Sequence, residues 1–266
     1  PSVSLNATQA PVFSFAPLAG ASFASAVLQP AGANVFFSML AQGQPANILM
    51  RTMVQQVTFT WASKERKVLL NVVPDEHRVD AFRNFLRLAG AMRELQKRGL
   101  VEIHTDGLSF PDGMKGMFEL ISSDPERYNF LEGMKFENIQ GVPEIKFGFR
   151  TFDAMLTALA TEQDVFDLLA TSHGNEFLNK IPTSEAQPIL RTKWGSIDAP
   201  TTAPTVRVEY RGDIYEVKDV IRDDPNTVGI ERNRWNRDSF NLLTDMFSVI
   251  AIDPNKLPAQ QLIQVR

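Results

Sequence analysis

Residues 206–266 read VRVEYRGDIYEVKDVIRDDPNTVGIERNRWNRDSFNLLTDMFSVIAIDPNKLPAQQLIQVR, and this stretch has the clearest internal order in the chain. Apolar residues alternate with polar or charged ones in Val206–Tyr210, the tripeptide Arg-Gly-Asp follows, and the alternation returns in 214–217. Alternation on both sides of a short turn that contains glycine is typical of a β-hairpin. The stretch therefore predicts two antiparallel strands.

An amphipathic helix is predicted after the hairpin, beginning with Asp238 or Ser239 as its N-cap. Its apolar residues recur every three or four positions, as on one face of a helix: Phe240, Leu242, Leu243, Met246, Phe247 and Ile250. A charged loop, 218–237, separates hairpin and helix, and 262–265 is predicted as a closing strand. The stretch thus combines sheet and helix without a catalytic signature.

The rest of the chain repeats this mixture. Strands are predicted at 57–61, 68–73, 101–104, 145–149 and 189–194, and the main helices at 76–98, 151–160 and 164–170. We therefore predict an α+β fold, with one or more small antiparallel sheets packed by amphipathic helices. The predicted division is a helical/β half at 1–105, an irregular connection at 106–143 and an α+β half at 144–266. One continuous domain is the alternative.

Composition excludes several classes of protein. The net charge of −4 argues against a general nucleic-acid binder, which would carry a basic footprint. The chain has no cysteine, so disulfides, thiol nucleophiles and thiolate metal sites are ruled out. No apolar run reaches the ~18 residues that suggest a membrane-spanning helix, so no transmembrane span is expected. Because the chain begins with Pro1, we expect a processed or trimmed start, with any targeting signal upstream.

The usual motifs of chemistry are missing from the sequence. It contains no phosphate-binding glycine loop and no G-x-S-x-G elbow, and its three histidines are too scattered for a helical zinc site. A calcium loop starting at Asp224 would place Val228 and Trp235 where oxygen ligands belong. We therefore assign no catalytic, cofactor-binding or metal-binding residue. A carboxylate pair assembled in space stays open as an alternative.

The chain resembles a family of bacterial conserved proteins of unknown function, many of them classed as lipoproteins, which share a V-x-Y-R-G-x-x-Y hairpin. Five segments carry the resemblance in matching order: PVFSFAPLAGASFASAVLQP from Pro11, GQPANIL from Gly43, RTFDAMLTAL from Arg150, VRVEYRGDIYEV from Val206 and SFNLLTDMF from Ser239. The chain departs from the family pattern at 54–73 and in the long charged loop after the hairpin. The resemblance implies a location in the periplasm or at the outer membrane, with lipidation at a cysteine upstream of this sequence.

These observations lead to a functional expectation. We expect a non-enzymatic structural or assembly component of the bacterial cell envelope, acting through contacts with other envelope proteins or with copies of itself. The alternatives are a periplasmic hydrolase that uses a carboxylate pair and a small-ligand-binding protein. Trp235 and the basic side chains around it are the predicted protein-contact residues: Arg222, Arg232, Arg234 and Arg237. Interspersed acids also suit a salt-bridged surface loop.

Overall fold

The computed structural model describes residues 28–72, 79–104, 107–110, 114–134, 141–172, 176–196, 206–217 and 235–251. The helices are α1 Ala33–Ala41, α2 Ala46–Met53, α3 Val79–Arg98, α4 Lys115–Ser123, α5 Pro125–Tyr128, α6 Phe152–Ser172, α7 Glu176–Asn179 and α8 Trp235–Ala251, with a 3₁₀ turn at Thr183–Glu185. The strands are β1 Val54–Thr60, β2 Arg66–Leu70, β3 Glu102–His104, β4 Gly107–Ser109, β5 Glu144–Phe149, β6 Thr192–Ser196, β7 Val206–Tyr210 and β8 Asp213–Val217. These helices and small antiparallel sheets confirm the α+β prediction.

The first sheet joins distant parts of the chain. It has the strand order β2-β1-β5, and both of its ladders are antiparallel. The β1–β2 pair confirms the hairpin predicted from the β-branched and aromatic residues of 57–61 and the apolar residues of 68–73. Strand β5 pairs along the other side of β1, with Val57 opposite Phe147. Segments that the sequence placed in different halves therefore share one sheet.

Helix α2 lies at the centre of the fold, and all eight of its residues are buried. It packs along α3 and also contacts α1, α6 and β1. A helix that is apolar nearly all round is normally a core element. The sequence ANILMRTM is mostly apolar, with Asn47 and Thr52 as small polar residues and Arg51 as its one charged residue. The burial of that arginine is the main unexpected feature of the molecule.

The hydrophobic core includes residues from all three predicted segments. One cluster contains Phe36 and Leu49 from 1–105, Met117 from 106–143, and Leu242 and Met246 from 144–266. A smaller cluster joins α3 to α6, α7 and the loop after it. A core shared in this way is the pattern expected of one continuous domain.

Helix α6 is one uninterrupted helix of 21 residues, where the sequence predicted two shorter ones. The predicted break falls near Thr161, whose hydroxyl donates to the backbone oxygens of Thr157 and Ala158. A hydroxyl that donates to a backbone oxygen of its own helix has a hydrogen-bond partner and does not end the helix. The polar residues that suggested a break include Glu162, which faces inward and binds Arg51.

Helix α8 begins at Trp235, one turn earlier than predicted. Ser239 is therefore not an N-cap but a fully buried residue inside the helix. The earlier start follows from packing, because the Trp235 indole nitrogen donates to the Pro188 backbone oxygen at 2.9 Å. The strand predicted at 262–265 and the charged loop up to 234 lie outside the described residues.

The strand predicted at 189–194 starts only at Thr192. The backbone amide of Ile189 donates to Glu162 Oε2 at 2.9 Å, and that of Arg191 donates to Asn236 Oδ1 at 3.0 Å. These amides bind side chains of α6 and α8 instead of a neighbouring strand. The backbone partners at 189–191 are therefore not those of a sheet.

Candidate functional site

The β7–β8 hairpin forms as the sequence predicts. Its strands pair from Val206 opposite Val217 to Tyr210 opposite Asp213, and the turn between them has two residues. Arg211 and Gly212 both have positive φ, 54° and 88°. This is the type I′ geometry that matches the twist of the flanking strands, and glycine adopts it without strain. Strand β6 pairs on the other side of β8, which gives the order β6-β8-β7.

One face of this hairpin carries large apolar side chains in solvent. Val208, Tyr210 and Tyr215 are 53%, 56% and 39% exposed. Val208 lies directly opposite Tyr215, and Tyr210 is two positions along the same strand, so all three project from one face. The Arg211 guanidinium lies over the Tyr210 ring, 5.1 Å from its centroid. We call Val208, Tyr210 and Tyr215 the hairpin face.

The opposite side of β8 faces the protein. Ile214 and Glu216 alternate with Tyr215 along the strand, and both are buried. This face of β8 is therefore covered, whereas Val208, Tyr210 and Tyr215 are exposed. Tyrosine is enriched at protein interfaces because its ring gives a large contact area and its hydroxyl can still bind a partner. Chemically, the hairpin face suits contact with another protein surface.

The predicted contact residues occupy different environments. Arg222, Arg232 and Arg234 lie outside the described residues. Arg237 is an exposed residue of α8, whereas Trp235 is only 7% exposed. The Trp235 ring lies against the Arg51 guanidinium, 5.5 Å from its centroid, and so packs inside the chain. The indole of Trp235 is therefore engaged within the molecule, while the basic loop stays a prediction.

Arg51 is the centre of a buried ionic cluster that the sequence did not reveal. Its guanidinium donates to Glu162 at 2.7 Å, to Glu185 at 3.2 Å and to the Gln187 backbone oxygen at 2.7 Å. The rings of Phe166 and Trp235 cover it, as cation–π partners. Burial alone would lower the pKa of Arg51, but the two carboxylates outweigh it and the pKa lies above its ordinary value.

The two carboxylates of this cluster are also occupied. Glu185 accepts a hydrogen bond from the Asn47 side chain at 2.7 Å, and Glu162 accepts one from the Ile189 amide. Both acids are almost completely buried, as is Arg51. Buried charges persist when they are paired and hydrogen-bonded. The cluster therefore joins α2 to α6 and to the 3₁₀ turn, and it is sealed from any substrate.

Arg150 caps the C-terminal end of α2. Its guanidinium donates to the backbone oxygens of Arg51, Thr52 and Asn71. Helix ends leave carbonyl groups unsatisfied and carry partial negative charge, so a cation is favoured there. Burial lowers the pKa of Arg150 to about 10, which leaves it charged at neutral pH. Arg51 and Arg150 thus fix the same helix from its side and its end.

An apolar groove opens beside α1 and β5. Its volume is about 550 Å³, and mostly apolar side chains line it, Phe37, Phe110, Phe147 and Phe149 among them. A concave apolar surface of this size is within the range of small-ligand sites. Ordinary ligand sites also contain a few converging polar groups, and the lining of this groove offers little beyond Ser109.

A polar group lies on the short β3–β4 hairpin. Ser109 Oγ donates to Glu102 Oε2 at 3.0 Å and lies 3.2 Å from His104 Nε2. Glu102 lies 3.8 Å from that same nitrogen. In a catalytic triad the acid binds the other ring nitrogen and leaves the serine to the histidine. Here the acid binds the serine directly, and the His104 and Glu102 side chains are largely exposed, so the group is a surface hydrogen-bond cluster.

Two further properties bear on function. Within the described ranges, no group of three or more acidic or histidine side chains is placed to hold a metal ion. None of the helices in that part of the chain is both long and apolar enough to cross a membrane.

The chain was compared with protein-family models, curated proteins and solved structures, and nothing matches it.

Proposed function

We propose that this protein is a non-enzymatic structural or assembly component of the bacterial cell envelope that works through protein–protein contacts. The observation that carries the proposal is the hairpin face: Val208, Tyr210 and Tyr215 are exposed together on adjacent strands. Single exposed apolar residues are normal on protein surfaces, but grouped aromatic ones mark interaction sites. The envelope location rests on the family resemblance of the hairpin and its flanking motifs.

The carboxylate-pair hydrolase receives less support from the described residues. Glu162 and Glu185 do converge, but both bind Arg51 and are buried. A general acid and base must reach the substrate, so this pair is unsuitable. The small-ligand alternative draws on one specific observation, the apolar groove lined by Phe37 and Phe147. It remains the second candidate because the groove presents few polar groups to orient a ligand.

Site-specific photocrosslinking in native cells would test the contact proposal. A photoreactive phenylalanine analogue is placed at Tyr210 or Tyr215, and crosslinked products are identified by mass spectrometry. We expect discrete products that contain an envelope protein or a second copy of the chain. Leu168, 63% exposed on α6, is the matched control position and should give none.

A second variant makes the result specific. Val208→Asp replaces an exposed residue and places a charge in the centre of the hairpin face. It should abolish the products formed from position 210. Retained circular dichroism would show that the variant still folds. If positions 210 and 168 gave the same products, or if Val208→Asp changed nothing, the contact proposal would be wrong.

A further inference from the structure

The two tyrosines of the hairpin face stand in a defined geometric relation. Val208 lies directly opposite Tyr215, and Tyr210 is two positions along β7, so Tyr210 and Tyr215 occupy diagonal positions of the ladder. Diagonal positions of an antiparallel pair are about 7–8 Å apart. Side chains stand roughly perpendicular to their sheet, and both tyrosines are exposed. These positions suit two aromatic walls with Val208 at their base.

The spacing of the two positions matches one ring inserted between two others. Carbon atoms in van der Waals contact are about 3.5–4.0 Å apart, so a ring that contacts both tyrosines needs about 7–8 Å between them. The pyrrolidine ring of proline is compact and apolar. Its CH groups beside the nitrogen are slightly positive, and the negative face of an aromatic ring attracts them. A proline of another chain therefore fits between Tyr210 and Tyr215.

The polar groups around these positions are mostly hydrogen-bond donors. The tyrosine hydroxyls can each donate, and the Arg211 guanidinium, which lies over the Tyr210 ring, offers N–H donors and no acceptor. Asp213, opposite Tyr210, adds an acceptor at the edge. A proline-rich segment is the complement, because its prolines have no backbone N–H and offer only carbonyl acceptors.

We propose that the hairpin face binds a proline-rich segment of the partner protein in the polyproline II conformation, with one proline ring held between Tyr210 and Tyr215. The inference rests on the contact function given above and specifies the chemistry of the partner. The tyrosine hydroxyls and Arg211 donate to carbonyl groups that flank the bound proline. Such a segment is extended before it binds, so it loses little conformational entropy, and aromatic surfaces commonly recognise it.

The same face is less suited to a glycan chain. Sugar rings also stack on aromatic side chains, but hydroxyl groups surround each ring, and burying them without partners costs free energy. Val206 and Val208 lie on the same side of β7 as Tyr210, since they alternate with Arg207 and Glu209 along the strand. Their side chains offer no hydrogen bond. A proline ring buries no polar group against them, so the apolar base favours the peptide.

Titration with a defined peptide tests the inference. The probe is a fluorescently labelled deca-proline peptide with blocked ends, and the matched peptide of the same length consists of alternating glycine and serine. Fluorescence anisotropy with increasing concentrations of the full chain measures the affinity. We expect saturable binding of the deca-proline peptide and no binding of the glycine–serine peptide over the same concentrations.

Substitutions in the two walls locate the site. Tyr210→Ala and Tyr215→Ala should each weaken deca-proline binding at least about tenfold, the loss expected when a central interface tyrosine is truncated. Tyr215→Phe keeps the ring and should lose less affinity than Tyr215→Ala. Leu156→Ala is the matched control, because Leu156 is a similarly exposed apolar residue on α6. Circular dichroism checks that each variant is folded.

The outcomes separate this inference from the contact function. If deca-proline binds no more tightly than the glycine–serine peptide, or if Tyr210→Ala binds it as tightly as Leu156→Ala does, the inference is wrong. Photocrosslinks from position 210 to an envelope protein would then still support the contact function, with a partner segment of another composition. If chitohexaose binds instead, Tyr210→Ala abolishes that binding and no protein crosslink forms, both proposals are wrong.

Discussion

Arg51 shows how one residue can define the interior of this fold. It lies in a helix whose other residues are mostly apolar, and its guanidinium is completely buried. The cost of removing that charge from water is large, and it is offset only because Glu162, Glu185 and the Gln187 carbonyl surround it. An ionic cluster of this kind gives little net stability, but it requires one specific arrangement of its helices. The cluster can therefore form only when α2, α6 and the 3₁₀ turn are packed in this arrangement.

Arg51→Met should lower the free energy of unfolding strongly, by about 3–5 kcal/mol, as expected when one partner of a buried ion pair is removed. The loss arises because Glu162 and Glu185 would remain buried without a cation. Urea denaturation at neutral pH measures it. Arg191→Met is the matched control: its pair with Asp167 is partly exposed, and such pairs contribute at most about 1 kcal/mol.

A second substitution distinguishes charge from packing. Adding Glu162→Gln and Glu185→Gln to Arg51→Met removes the uncompensated acids and should recover part of the loss. No recovery would mean that Arg51 acts through shape and not through charge. A loss no greater than that of Arg191→Met would contradict the structural role of the cluster.

At the scale of single elements, the sequence predicted correctly those helices and strands that depend on interactions between neighbouring residues. The β7–β8 hairpin follows from alternation and from glycine at a position with a φ of 88°. Helix α3 follows from its apolar stripe and from the basic residues and Gly99 at its end. In each case the deciding interactions lie within a few residues, so the sequence displays them directly.

Elements fixed by distant partners were predicted less well. The backbone of 189–191 binds side chains of α6 and α8, and α8 starts early because Trp235 docks on Pro188. Strand β4 was not predicted, because it has only three residues, which carry no alternation and pair with β3 in the part of the chain that the structure describes. The sequence predicted the two strands that carry the hairpin face. It did not predict that their apolar side is exposed, because exposure depends on tertiary packing, which periodicity alone does not give.

Gly212→Ala should destabilise the hairpin by about 1–2 kcal/mol, because a side chain is strained in the left-handed region. Gly107→Ala is the control. Within the described part of the chain, no atom lies within 4 Å of the added Cβ at either position, and only Gly212 has a positive φ. Denaturant unfolding of both variants thus isolates backbone strain from steric contact. Equal effects at the two positions would contradict the type I′ turn.

At the scale of the whole molecule, long-range contacts join parts that the sequence separated. Arg51 binds Glu162 and Glu185, which are 111 and 134 residues away. Strand β5 completes the sheet begun by β1, and α8 contributes to the core that α1 and α2 form. No local pattern encodes which distant acid meets a given arginine. The composition and strand–helix mixture predicted the α+β class, but not this connectivity.

Shared core and shared sheet lead us to expect one cooperative unfolding transition. Leu49→Ala in α2 and Leu242→Ala in α8 remove side chains that are essentially fully buried in the same cluster. Each should cost about 2–5 kcal/mol and lower the midpoint of the same transition. Scanning calorimetry measures this, and equality of calorimetric and van't Hoff enthalpies tests for two-state behaviour. Two resolved transitions, with Leu49→Ala shifting one and Leu242→Ala the other, would instead show that residues 1–105 and 144–266 unfold as separate units.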